Sequence, residues 1–174
     1  AAQAAFDVAG RLDIVVGTVA TGGTGPLVQQ DLATFTDHVM GNLRSNFLAL
    51  RYGAPLMTGG GSIVFVSSTS AKIPMEGLGH YSAGKAALEM LIKVAASELG
   101  PKGIRVNAIA PGFFETEMTE SYPDGYLESM SPRLVLGRTG DPEELAATAI
   151  WLASPAAGYV TGQTVVVDGG FSIT

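Results

Sequence analysis

Four short apolar runs, each separated from the next by a stretch of helical periodicity, limit what this chain can fold into. They span residues 12–16, 63–67, 105–110 and 164–167. Strands buried on both faces read as continuous apolar runs, and parallel strands need long, usually helical crossovers. The pattern therefore predicts an α/β chain with four strands in a parallel sheet and helices on both faces. Thr34-Phe35-Thr36-Asp37 has the form of a capping box and predicts a helix running toward Ala54, stopped by Pro55. Leu88, Leu91, Ile92, Ala95 and Leu99 make an apolar stripe on a second helix, from Tyr81 to Leu99, which Gly100-Pro101 closes. Asp141-Pro142-Glu143-Glu144 combines an N-cap acid, a first-turn proline and two carboxylates at the positive end of the dipole. That third helix is predicted to end near Ala153.

The second of these helices opens on Tyr81-Ser82-Ala83-Gly84-Lys85, with Ser68 upstream at the carboxyl end of the second strand. Spacing of i,i+4 stacks Tyr81 and Lys85 on one helix face. A free phenol has a pKa of about 10 and is a poor proton-transfer group near neutrality unless a fixed cation favours its ionised form. At about 5 Å and an effective dielectric of about 20, an ammonium supplies roughly 3 kcal/mol, equivalent to about two pKa units. Ligands of open α/β sheets bind outside the carboxyl ends of the strands, where Ser68 is expected. Tyr81, Lys85 and Ser68 are thus candidates for a proton-transfer site acting on one carbonyl. A serine-hydrolase elbow is a poor fit, since His80 stands where G-x-S-x-G needs its first glycine.

Composition narrows the rest. The chain carries 47% hydrophobic and 15% charged residues, which is globular, and a net charge of -6 that disfavours a nucleic-acid partner. With no cysteine and two histidines far apart in sequence, disulfides and thiol chemistry are excluded and no metal site is expected. The apolar runs are too short for a membrane span, and no signal peptide is evident, so a cytoplasmic location is expected.

These features, taken in order, resemble the short-chain dehydrogenase/reductases, in the branch of the 3-oxoacyl carrier-protein reductases. The likeness rests on Gly10-Arg11-Leu12-Asp13-Ile14-Val15-Val16, the Asn42-Leu43 helix, and the Ser68, Tyr81 and Lys85 set. It continues through Arg105-Val106-Asn107, Pro111-Gly112, Thr116, Thr161-Gly162-Gln163 and Val167-Asp168-Gly169-Gly170. The resemblance implies the C-terminal part of a Rossmann-like, doubly wound parallel sheet. It also implies an NAD- or NADP-dependent oxidoreductase that interconverts a ketone and a secondary alcohol, with Tyr81 as general acid/base. Tyr81 and Lys85 would also bind the cofactor, Lys85 through the nicotinamide ribose, Ser68 would hold the carbonyl, and Asn42 would hold a water linking Lys85 to solvent. Thr116, with the backbone of Pro111, Gly112 and Phe114, would clasp the carboxamide of nicotinamide. The expected partners are a small carbonyl or alcohol substrate and further copies of the chain, as a homodimer or homotetramer. Residues 117–132, with Met118, Tyr122, Pro123, Tyr126, Leu127 and Met130, read as a substrate lid or as a helix packed on the core.

Other family features are missing from this sequence. The phosphate-binding T-G-x-x-x-G-x-G turn does not occur, and Thr21-Gly22-Gly23-Thr24-Gly25, followed by Pro26, reads as a flexible loop. Gly17-Thr18-Val19-Ala20 replaces the usual N-N-A-G. Residues 1–10 read as the last turns of a helix with no N-cap in front. The expectation is a single domain over residues 1–174 that lacks three strands and the phosphate turn, from a truncated, processed or incompletely represented dehydrogenase. Residues 12–16 would then be an exposed hydrophobic edge. The alternative is a catalytically silent scaffold that keeps the catalytic residues but binds no dinucleotide.

Overall fold

The computed structural model describes residues 1–116, 119 and 125–174. Among the described residues, strands β1 (Ile14–Gly17), β2 (Gly61–Val66), β3 (Ile104–Pro111) and β4 (Thr164–Val167) form one sheet in that order. All three neighbouring pairs are parallel. Helix α1 (Ala2–Ala9) precedes β1, and the crossovers carry α2 (Leu32–Gly53), α3 (Gly79–Leu99), α4 (Tyr126–Met130) and α5 (Pro142–Ala153).

The central strands explain why the sheet is covered twice. Ile63 and Phe65 of β2 face Leu50, Leu88, Ile92 and Val106, so that face packs under α2 and α3. Val64 points the other way, to Ile109, Leu152 and Ala157 beneath α5. Alternation along a strand thus feeds two cores, and the apolar run is continuous because neither face is wet. β1 lies at one side of the described sheet, with Ile14 49% and Val16 53% exposed, while Leu12 and Val15 pack against the core.

Helix ends follow their caps. Gly10 closes α1 in the left-handed conformation at φ 71°, donating its N–H to the Phe6 carbonyl. α2 begins at Leu32 rather than at Thr34, because Asp31 is the N-cap and accepts bonds from Thr34 N at 2.9 Å and Thr34 Oγ1 at 2.8 Å. Thr34 is therefore a donor to the cap. α5 spans the expected residues, with a reciprocal capping box between Asp141 and Glu144. Arg138 pairs with Glu144 through both oxygens at 2.8 and 2.7 Å, and this bonding holds the Glu144 carboxyl down at about 2. Asp141→Ala is expected to cost about 1 kcal/mol, read as a lower urea midpoint at an unchanged slope.

The family-like motif around β3 is structural. Arg105 donates to the Leu152 and Ser154 carbonyls at 2.8 and 3.0 Å, which caps the end of α5. Asn107, fully buried, bonds Val160 O and Gln163 N at 2.8 and 3.0 Å and so fixes the return into β4.

Candidate active site

Lys85 is the centre of the site. Its residue is 1% exposed, and its Nζ donates to the carbonyl oxygen of Val66, the last residue of β2, at 2.8 Å. Helical spacing puts Tyr81 one turn earlier on the same side of α3, and the Lys85 ammonium lies 5.6 Å from the centre of the Tyr81 ring. That distance is within range for cation–π attraction. Burial disfavours the charged amine and brings Lys85 from 10.5 down to about 8. Gly84 sits where α2 and α3 cross: a Cβ there would lie 3.0 Å from Asn42 Cβ and 3.2 Å from the Val39 carbonyl.

Ser68 comes two residues after Val66, past the end of β2, and caps the short turn Thr69–Ala71. Its Oγ accepts from Ser70 N at 3.2 Å and Ser70 Oγ at 3.0 Å. A hydroxyl has one proton and two lone pairs, so the Ser68 proton is left to donate elsewhere. Its neighbour Ser67 is buried and donates to Glu89 at 2.9 Å, a structural role. The carboxyl end of β2 and one face of α3 therefore bring Ser68, Tyr81 and Lys85 to the same end of the sheet.

Asn42 is fully buried in α2, and its amide nitrogen donates to the carbonyls of Thr21 and His38 at 2.8 and 2.9 Å. Its own backbone oxygen accepts from Asn46 Nδ2 at 2.9 Å. The side chain thus ties α2 to the segment after β1. Thr21–Gly25 is fastened rather than free: Thr21 bonds Asn42, Gly25 N donates to Gly77 O at 2.9 Å, and Gln30 Nε2 donates to Gly25 O at 2.9 Å.

Pro111 ends β3, and the N–H of Gly112 is committed to Val167 O at 2.9 Å. Phe114 forms an isolated parallel bridge with Gly140. Thr116 is exposed and turns on itself, donating its N–H to Thr119 Oγ1 at 2.8 Å. These four residues line the exit from β3. Of residues 117–132, Met118, Tyr122 and Pro123 lie outside the described residues. Tyr126, Leu127 and Met130 pack with Ile73 and Met75 against Phe113, Leu134 and Phe171, so α4 is a covering helix.

Two features were hidden in the sequence. The histidines, remote along the chain, meet with ring centres 4.4 Å apart, and Gln30 Nε2 lies 2.6 Å from His80 Nδ1. An amide nitrogen only donates, so Nδ1 accepts; burial and the neighbouring His38 lower the His80 pKa. Among the described residues, no group of three or more histidine, cysteine and acidic side chains is arranged to hold a metal. The second feature is Glu89, one turn beyond Lys85, which joins Ser67 to Lys72. Its position at i+8 from Tyr81 was visible, but its partners lie on other elements.

Residues 1–172 match the family model described as enoyl-(acyl carrier protein) reductase. A tropinone reductase homolog of Arabidopsis thaliana is 36% identical over 168 residues, covering 94% of this chain and 65% of the relative. A 3-oxoacyl-(acyl-carrier-protein) reductase of Thermotoga maritima is 39% identical over 166 residues, covering 94% of this chain and 68% of that protein. Among solved structures, a short-chain dehydrogenase/reductase of Serratia marcescens aligns with a TM-score of 0.90 at 35% identity, covering 98% of this chain and 70% of that one. Acetoin dehydrogenase of Enterobacter cloacae aligns at 0.87 and 31% identity, covering 98% and 68%. The chain spans just under two thirds of the length of the curated Arabidopsis relatives it matches.

Proposed function

Because the chain belongs to the short-chain dehydrogenase/reductase family, we propose that it interconverts a small ketone and a secondary alcohol with NAD or NADP, using Tyr81 as general acid/base. The observation that carries this reading is Lys85, a buried ammonium beside a phenol at the carboxyl end of a parallel sheet.

The donor set suits the nicotinamide end of a dinucleotide. Among the described residues, the Lys85 ammonium has one hydrogen-bond acceptor, Val66 O, so two of its three N–H groups are left for ribose hydroxyls. When bound, the nicotinamide supplies or accepts the hydride at the carbonyl carbon. In reduction, Tyr81 gives its hydroxyl proton to the carbonyl oxygen, and the nearby Lys85 charge favours the phenolate that remains. Ser68 donates its unused proton to the same oxygen and stabilises the negative charge that develops there. Oxidation reverses each transfer. Asn42 holds a water toward Lys85 through a lone pair left on one of its carbonyl oxygens, and Thr116 with the Pro111, Gly112 and Phe114 backbone meets the carboxamide.

Gly17-Thr18-Val19-Ala20 stands where the family usually carries N-N-A-G, and this favours the second reading, a silent scaffold. Titration with NADH and with NADPH, monitored by nicotinamide fluorescence, separates the two. Saturable binding at about micromolar concentration is expected; none at millimolar concentration gives the scaffold reading the field. Assembly belongs to the same proposal. Met40 and Phe47 on α2 and Met90 and Val94 on α3 are 44%, 48%, 58% and 47% exposed, an apolar surface suited to a second copy in a homodimer or homotetramer. Among the described residues, no helix is long and apolar enough to cross a membrane.

A further inference from the structure

We propose that Glu89 is a positioning residue for Ser68, acting as a clamp that holds both ends of the turn carrying it. This rests on the catalytic reading of Ser68 above. Tyr81, Lys85 and Glu89 stand at i, i+4 and i+8, so one face of α3 presents a phenol, an ammonium and a carboxylate on successive turns. Lys85 grips β2 at Val66 O, at 2.8 Å. Glu89 grips the chain just beyond β2: Oε1 accepts from Ser67 Oγ and Oε2 from Lys72 Nζ, each at 2.9 Å.

Between the two residues held by Glu89 lies Ser68. The chain from Ser68 to Lys72 is a single turn, closed by Ala71 N to Ser68 O at 3.1 Å and Lys72 N to Thr69 O at 2.9 Å. Its first end is further fixed by Ser67 N to Ile109 O at 2.7 Å. Its second end is tied to α3 by the Lys72–Glu89 ion pair. The Glu89 side chain is 11% exposed and that of Lys72 37%, so the carboxylate reaches from the core to the surface. A buried ion pair seldom stabilises more than apolar packing of the same volume would, whereas it fixes geometry. An apolar residue at position 89 would fill the space and release the polar ties at Ser67 and Lys72 together.

A double-mutant cycle tests the coupling, with ethyl acetoacetate and NADH or NADPH as the assay. Ser68→Ala is expected to lower kcat/KM by about 10²-fold, and Glu89→Leu by about 10- to 100-fold through misplacement of the hydroxyl. If Glu89 acts through Ser68, adding Glu89→Leu to Ser68→Ala lowers kcat/KM by less than about twofold more. Dinucleotide affinity should stay within about twofold throughout. Fully multiplicative losses overturn the proposal. Should Glu89→Leu fail to fold, Glu89→Gln and Lys72→Met each remove the ion pair at nearly constant volume and replace it in the cycle. Amide hydrogen exchange needs no turnover and separates this idea from the catalytic one: the Ala71 and Lys72 amides should exchange about tenfold faster in the variant. Unchanged protection there overturns the clamp even if the wild-type protein does not reduce the ketoester.

Discussion

Tyr81→Phe is expected to lower kcat by about 10²- to 10⁴-fold, the range that a positioned general acid contributes. Dinucleotide affinity should fall far less than kcat. The variant keeps the aromatic ring that the Lys85 ammonium faces at 5.6 Å and removes only the hydroxyl. Loss of turnover with retained binding would show an interaction made in the chemical step rather than in the ground state. Ser68→Ala should cost less, because a hydrogen bond to the developing oxyanion can be partly replaced by water whereas the transferred proton cannot. If Tyr81→Phe keeps more than about a third of wild-type kcat, Tyr81 is not the acid and the proposed mechanism fails.

Lys85→Met is the second large effect, and it appears in stability as a function of pH. The amine lies below its ordinary 10.5, at about 8, because burial penalises its charge. Between those values the unfolded chain binds a proton that the folded chain has released, so stability rises with pH across that window. Below pH 8 the amine is charged in both states, and the full cost of burying it is present. The displacement corresponds to roughly 3 kcal/mol. Wild type minus Lys85→Met, measured by urea unfolding at about pH 7.5 and pH 10, should therefore grow by most of that amount in favour of wild type. The subtraction cancels the other groups that titrate at alkaline pH. A flat difference would mean that Lys85 is hydrated. The same variant loses the proposed ribose donor and the charge beside Tyr81, so its turnover should fall with Tyr81→Phe.

Much of this architecture is legible in the sequence alone. The alternation of apolar runs and amphipathic stretches predicted four parallel strands, and β4 and α5 have the expected bounds because their ends carry strong local signals. Elsewhere the local signal was outweighed. Thr34 looked like a cap, but Asp31 binds both its backbone and its hydroxyl. β1 starts at Ile14 rather than at residue 12, since Leu12 turns into the core under α2 and Asp13 O accepts the first bond from Ser62 N at 2.9 Å. Thr21–Gly25 read as flexible because its glycines are visible and its anchors on Asn42, Gly77 and Gln30 are not.

What sequence alone determined was everything that one element can encode: the strand runs, the helix caps, and the placing of Tyr81 and Lys85 on one helical face by a spacing close to the 3.6-residue repeat. Only the tertiary structure decided which element each face meets. It brought Lys85 to the Val66 carbonyl, Glu89 to Ser67 and Lys72, and His38 to His80. The physical reason is that helical and strand periodicity are short-range properties of the backbone. Long-range partners depend instead on how the crossovers stack α2 and α3 on the sheet, and that is set by the packing of the whole core.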